Sequence, residues 1–400
     1  MTATTTDPPV PGDLRMARAL GPVLLASAVG LLPFTVFSTF LVPIAEEAGS
    51  GVAALGSLRG LGGLAALAVG AAVAPLLDRL PKRHVAAAGL ALLGLSSLLG
   101  ATGHFVAWVA FALLVGAGTS VLAPATAAMA ADRFGDGPAA GRAATLVTAT
   151  QSLTAMLAAP LVAAPALLWG WQGDLVAVSV ISFALAALFR ARRGPVLAPR
   201  PRIGYLESLR ALGSVPGAVP LLAVALLRTA AFMGYLSYLA AFYGERFSLS
   251  PGVFALVWTL SGGSFFVGNL FAGRFTNAAA EGRRTERVMV VCLVVALGAV
   301  VGFYFAPTLP LALALTVLLG AGHAGVAACV TTLLVRRCGP LRGSALGINA
   351  AGMSLGVFVG SALGGLGLGL AGYPGTAAVL GGLTLAAVVS ASRVRSVASV

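Results

Sequence analysis

The chain has 400 residues, of which 58% are hydrophobic and only 9% charged, with a mean hydropathy of +0.98 and a formal net charge of +13. Soluble proteins carry charge at about a quarter of their positions, so this composition excludes a water-soluble fold and places the chain in a bilayer. The positive excess raises nucleic acid as a partner, and the placement of the bases decides that question.

The first twelve residues, MTATTTDPPVPG, are polar and loop-like, within a tail at 1–18. The apolar run at 19–44 is too long for the hydrophobic segment of a signal peptide and reads as an uncleaved span. A hydrocarbon layer needs roughly 20 apolar residues per helix. Further runs of that kind lie at 52–77, 85–103, 105–130, 143–167 and 172–189. After the Arg- and Pro-rich stretch RARRGPVLAPRPRIGYLESLR, six more follow at 219–243, 251–273, 287–306, 309–334, 343–368 and 373–392. Lipid offers the backbone no outside partner, so spans this long are helices. The predicted fold class is all-α integral membrane, with twelve transmembrane helices in two six-helix bundles at 19–189 and 219–392. A linker at 190–218 joins them, and a short tail at 393–400 ends the chain.

The bases fix an orientation. Arg15 and Arg18 precede the first span; Arg79, Lys82 and Arg83 follow the second; Arg133 and Arg142 separate the fourth and fifth. Six arginines occupy the middle stretch, and Arg274, Arg283, Arg284, Arg287, Arg336, Arg337, Arg342, Arg393 and Arg395 complete a set of 22 of the 25 bases on one side of a twelve-pass chain. The opposite loops carry Arg246 and the acids Glu46, Glu47, Asp174 and Glu245. The positive-inside rule then predicts a multi-pass protein of the cytoplasmic (inner) membrane with both termini cytoplasmic. The charge is a topology signal, and no nucleic-acid partner is needed to explain it.

An internal repeat recurs at a spacing of about 200 residues. LVGAGTSV (114–121) in the fourth span matches LLGAGHAG (318–325) in the tenth, and GRAATL (141–146) matches LRGSAL (341–346). APLLDR (74–79) ends the second span where GRFTNA (273–278) ends the eighth. Parallel six-helix halves are a transporter architecture, with the substrate path between them.

At these residues the chain resembles the major facilitator superfamily. That family's signature after the second helix places an acid and bases as Asp78, Arg79, Lys82 and Arg83 do here, although both of its glycines are missing. The second-half counterpart is Gly273-Arg274-Phe275-Thr276-Asn277. AMLAAPLVAA (155–164) follows the fifth-helix antiporter motif with Ala for each Gly and Pro160 kept, and GVFVGSALGG (356–365) follows it with Ser361 in the proline place. The Arg usual in the fourth-helix motif is absent, Ala112 being nearest its position. Asp78, an acid at a cytoplasmic helix end, can meet the positive N-terminus of another helix. The resemblance implies that this partner is the start of the eleventh helix near Arg342, in a contact that latches the halves. Arg79, Arg142, Asn277 and Pro160 join the gating set on the same grounds.

All twelve acids lie in tails, loops or helix ends, so no carboxylate sits in mid-membrane. Arg228, by contrast, lies well inside the seventh span, where a charge costs about 3 kcal/mol or more unless paired or hydrated. Phe232, Tyr235 and Phe242 share its face at helical spacing. The resemblance implies that the first, fourth, seventh and tenth helices line the cavity. Arg228 then either reads substrate or caps carbonyls of a neighbouring broken helix. Arg59, near the outer end of the second span, is a further substrate candidate, or it snorkels or pairs with Glu46 or Glu47. His323, whose repeat partner is Thr119, is either a packed hydrogen-bonding residue or the protonation site of a cavity without carboxylates. Gln151 and Asn349 are additional cavity polars.

Enzymatic function is not expected: no HExxH, GxSxG or paired-carboxylate pattern lies in the spans. Cys292, Cys329 and Cys338 make neither a disulfide framework nor a metal knuckle, and no cofactor or metal is expected. The reading is a monomeric secondary active transporter in the lipid bilayer, working by alternating access with protons as the candidate coupling ion. Efflux of a small drug-like or metabolite compound leads. Uptake or exchange of an organic anion is the alternative, on Arg228 and the absent acids. A non-transporting receptor is the remaining class.

Overall fold

A computed structural model describes residues 13–77, 80–134, 138–191, 210–278, 282–338 and 341–397. The first span is not one helix. It divides into α1 (Asp13–Val29), α2 (Leu32–Thr39) and α3 (Leu41–Glu47). Pro33 and Pro43 each remove a backbone donor and disfavour helical geometry in the residue before them. Pro43 leaves the Thr39 carbonyl, four residues before it, without its helical donor, and Phe40, between α2 and α3, leaves the helical region at φ −106°, ψ 25°. Then follow α4 (Val52–Leu77), α5 (Lys82–Gly100), α6 (Phe105–Asp132) and α7 (Pro138–Ala191), and in the second half α8 (Ala218–Phe247), α9 (Pro251–Ala278), α10 (Gly282–Tyr304), α11 (Leu309–Cys338) and α12 (Arg342–Val397).

Ten helical segments are long and apolar enough to cross a membrane, and two of these, at 146–191 and 344–394, run for 46 and 51 residues. At 1.5 Å per residue each would measure about 70 Å if straight, more than twice the hydrocarbon thickness. Both are broken near the middle, α7 at Gly170 (φ 71°, ψ 173°) and α12 at Ala371 and Gly372 (φ 62°, ψ −155°). Only glycine adopts such φ values without strain, so each glycine reverses the chain. In α12 the two arms then pack so closely that a Cβ on Gly367 would stand 2.7 Å from the Gly375 carbonyl oxygen. Each long helix therefore supplies two crossings, and the total is twelve. Among the described residues there is no strand.

Three apolar clusters form the core. One joins α1–α7 around Phe37, Trp108 and Phe111; the second gathers Tyr235, Phe242, Tyr243 and Phe303; the third packs Leu221, Met289, Val330 and Leu334. The two halves meet along two seams, α4 against α12 and α7 against α9. On the first, a Cβ on Gly63 would stand 2.5 Å from the Ser354 carbonyl oxygen, and one on Gly60 would be 2.9 Å from that of Phe358. On the second, a Cβ on Gly262 would stand 2.7 Å from Met156 Cα, and the Trp258 indole N–H donates to the Ala155 carbonyl at 3.2 Å. These contacts reach from mid-helix toward the end that carries the loops 48–51 and 248–250, hereafter the far end. Toward the opposite, basic end the pattern changes. A Cβ on Gly347 or Gly352 of α12 would meet nothing within 4 Å, and Gly70 of α4 faces only Ser120 of its own half, at 3.7 Å.

Candidate functional site

The polar residues of the last six spans converge where α8 crosses α11. Arg228 is 4% exposed. It lies ten residues into α8, about 15 Å from the helix start. Its Nη1 donates to the His323 carbonyl at 3.4 Å and its Nη2 to Thr229 Oγ1 at 3.0 Å. Its Nε has no partner among the described residues, and no carboxylate among them pairs with it. A helix interior leaves each carbonyl engaged with an N–H four residues on, so the His323 carbonyl is a weak second acceptor. The guanidinium is thus held in place while much of its donor capacity stays unused.

His323 is fully buried, and neither ring nitrogen has a partner among the described residues. Its imidazole lies over Phe232, with ring centroids 4.8 Å apart. Phe232 stacks in turn on Phe265 of α9, at 5.5 Å, and near Tyr235, at 6.1 Å. Further along α8, the Tyr235 hydroxyl donates to Thr316 Oγ1 at 2.9 Å, and the Tyr243 hydroxyl lies 2.9 Å from the same oxygen. Small residues let the neighbouring helices close around it: a Cβ on Gly268 of α9 would stand 2.8 Å from Ala321 Cα of α11, and one on Gly356 of α12 would be 2.7 Å from the Leu226 carbonyl oxygen of α8. Buried polar atoms are nearly always bonded. The unused Arg228 Nε and the two His323 nitrogens on neighbouring turns therefore mark a place suited to water, an anion or a proton.

Arg59 lies apart from this cluster. Its Nη1 donates to Ser38 Oγ of α2 at 2.8 Å, its Nη2 is 4.0 Å from Met233 Sδ of α8, and its guanidinium carbon lies 5.7 Å from the Phe34 ring centroid. Glu46 and Glu47, offered by the sequence as its partners, are exposed, and Glu47 accepts from Gln172 Nε2 at 2.9 Å instead. Gln151 is half-buried on the first arm of α7. The amide of Asn349 donates to Met353 Sδ at 3.6 Å while its Oδ1 is buried without a partner. Arg142 is exposed at the start of α7, and Pro160 lies inside that helix. Asp78 and Arg79 lie outside the described residues, as do the side chains of Asn277 and Arg342.

Two ion pairs at the basic end are not apparent from the sequence. Lys82 Nζ meets Asp132 Oδ2 at 2.9 Å, linking α5 to α6, and Arg337 of α11 pairs with the nearly buried Glu286 of α10. Opposite charges at neighbouring helix ends were the available signal. A cavity of about 480 Å³ opens along the α4–α12 seam, lined by residues such as Ser57, Leu61, Phe358 and Leu366, and contains none of the predicted substrate residues.

The sequence pattern of the Major Facilitator Superfamily matches residues 23–285 and 277–398, nearly the whole chain. The chain belongs to the Major Facilitator Superfamily. It is thus a multi-pass membrane protein of a transporter family, whose members bind small-molecule substrates within a bilayer. No curated protein sequence matches it. Solved major facilitator structures share its fold at low identity. A bacterial homologue of the human lysosomal transporter Spinster, inward-facing and unoccupied, is 15% identical with a TM-score of 0.72, over 97% of this chain and 96% of that one. The nucleoside transporter NupG is 14% identical with a TM-score of 0.75, over 96% and 99%. The human organic anion transporter MFSD10 (TETRAN) is 18% identical with a TM-score of 0.63, over 96% and 100%. Within this major facilitator chain, α8 and α11 are the seventh and tenth spans, and they carry Arg228, Phe232, Tyr235 and His323.

Proposed function

We propose that the chain is a secondary active transporter that exports a small amphipathic drug-like or metabolite compound across the cytoplasmic membrane by alternating access. The observation that carries alternating access is the uneven seam. Close glycine contacts join the halves at mid-helix, at Gly60, Gly63 and Gly262, whereas Gly70, Gly347 and Gly352 toward the basic end approach no atom of the other half. With the bases placed on the cytoplasmic face, this arrangement supports an inward-open state of a monomer, whose bundles 19–189 and 219–392 rock against each other. Export is supported by the Pro160 pattern in the fifth span and by the aromatic surface of Phe232, Tyr235 and Phe265 beside the polar cluster. His323 is the candidate for coupling to protons, and Asp78 with Arg342 is the candidate cytoplasmic latch.

Exchange or uptake of an organic anion is the second reading. It is favoured by Arg228, a buried guanidinium with an unused donor and no carboxylate partner among the described residues. The likeness to the organic anion transporter MFSD10 is consistent with it at the level of fold. Reconstituted vesicles loaded with one amphipathic cation or one amphipathic anion, with and without a pH gradient, separate the two. Gradient-driven movement of the cation supports export of amphipaths, and exclusive movement of the anion supports the second reading. Movement of neither, across a panel of both classes, would count against transport.

A further inference from the structure

Tyr238 lies ten residues beyond Arg228 on α8, about 15 Å nearer the far end, and the candidate site does not use it. Its ring is fully buried in a slot whose walls come from both halves: Gly56 on α4, and Gly364 and Gly365 on α12. The phenol donates to the Ser361 carbonyl at 2.8 Å, and the Ala53 carbonyl of α4 lies 3.4 Å from the same oxygen. The slot exists because its walls lack side chains. A Cβ on Gly56 would stand 2.5 Å from ring atom Cε1, one on Gly364 would be 3.2 Å from Cε2, and one on Gly365 would overlap the hydroxyl. A rigid ring bonded at its tip cannot yield to such contacts as the end of a long flexible side chain would. One turn further along α4, Arg59 makes a second crossing by reaching Met233. Tyr238 is thus a side chain of the last six spans that passes α12 and touches the backbone of the first six.

We infer that Tyr238, seated between Gly56 and Gly365, is the positioning residue that holds the two halves together at the far end, and that Gly56 must come away from the ring for that end to open. The inference rests on the alternating-access reading and gives its closing contact a named residue. Opening separates α4 from α8 and α12, which removes one wall of the slot. Closing returns Gly56 against the ring and the Ala53 carbonyl to the hydroxyl.

The test uses the full chain in lipid nanodiscs, with its three cysteines replaced and spin labels at Thr102 and Thr308, exposed far-end positions in opposite halves. Tyr238→Phe keeps the ring and removes the hydroxyl; the 2.8 Å bond to Ser361 stays within the last six spans and only the 3.4 Å approach to Ala53 crosses the halves, so the far-end-open fraction should rise about twofold. Gly56→Ala should raise it further by expelling the ring. The deciding comparison is Gly56→Ala in a Tyr238→Ala background, where the added methyl has no ring to meet and should change nothing. An equal effect of Gly56→Ala with and without the ring would overturn the assignment. So would an unchanged distance distribution in Tyr238→Phe, a variant mild enough to fold if Gly56→Ala does not. Distances that shift in a chain carrying no solute across vesicles would count against the transport reading and leave the latch standing; transport with unshifted distances would remove the latch alone.

Discussion

The first span and its repeat partner, the seventh, occupy equivalent places in the two halves and are built in opposite ways. Residues 13–47 form three short helices interrupted at Leu31 and Phe40, whereas α8 runs unbroken for 30 residues and carries Arg228, Tyr235, Tyr238 and Tyr243 on buried faces. The fourth and tenth spans differ in a related way. Thr119 satisfies its hydroxyl on the carbonyl of Val115, at 2.8 Å within its own helix, while His323 at the matching position leaves both nitrogens unbonded. The pair teaches that a repeated fold need not repeat its chemistry. In the first span the irregularity is in the backbone, where broken helix is tolerated if it is buried or lines a cavity. In the seventh and tenth spans the backbone is regular, and the groups left unsatisfied among the described residues are the side chains of Arg228 and His323.

That contrast breaks most sharply at His323. If the histidine supplies coupling, His323→Gln should bind substrate yet lose all accumulation driven by a pH gradient, measured as uphill flux in vesicles. Accumulation that survives would move the coupling site elsewhere, with Glu46, Glu47 and Asp78 next to test. Arg228→Ala should weaken binding of an amphipathic acid by at least about tenfold, the loss of one charge-assisted contact, and affect its amide analogue far less. Arg228→Lys should fall between, because the charge remains and the planar fork does not. Equal losses for acid and amide would mean that Arg228 shapes the helix crossing and does not read charge.

A stability measurement sharpens the same comparison. Thr316 Oγ1 serves both Tyr235 and Tyr243, so Thr316→Val should destabilise the chain in detergent by about 2 kcal/mol. In the first half, Thr119→Val removes only a bond to its own helix, and the change should be at most about 0.5 kcal/mol. Indistinguishable unfolding midpoints for the two variants would erase the distinction drawn above. The smallest expected effect is at the cytoplasmic latch. Asp78→Asn removes one charge–dipole contact of up to about 1 kcal/mol, so labelling of cysteines at the basic end should rise about two- to fivefold, and unchanged labelling with unchanged transport would count against the assignment.

Hydropathy made the spans legible because hydrocarbon selects composition over about 20 residues at a time. The Gly-Ala-Gly motifs at 116–118 and 320–322 likewise exposed the repeat. Backbone path was less legible. A run such as 19–44 is uniformly apolar whether straight or broken, and its prolines do not separate the breaks at Leu31 and Phe40 from α1, which contains Pro22 and stays unbroken. Asp174 read as a loop acid, yet it lies in α7 just past Gly170, nearly buried and accepting from the Trp169 indole at 2.6 Å. Arg59 was left between substrate contact, snorkelling and pairing with Glu46 or Glu47, and its hydroxyl partner, Ser38 of α2, depends on how the broken first span packs. Helical spacing put Arg228 and Phe232 on one face. That the His323 carbonyl would meet the first and its ring the second depends on how two helices cross, which no single helix encodes.

The reversals at Gly170 and Gly372 also bear on how this chain is made. Each joins two crossings of the bilayer with almost no polar connector between them, so the ribosome delivers either pair without a hydrophilic segment long enough to wait in water. The fifth and sixth spans, and again the eleventh and twelfth, are therefore hairpins closed by a single glycine, and any residue with a Cβ at either turn would be strained at a φ of 71° or 62°.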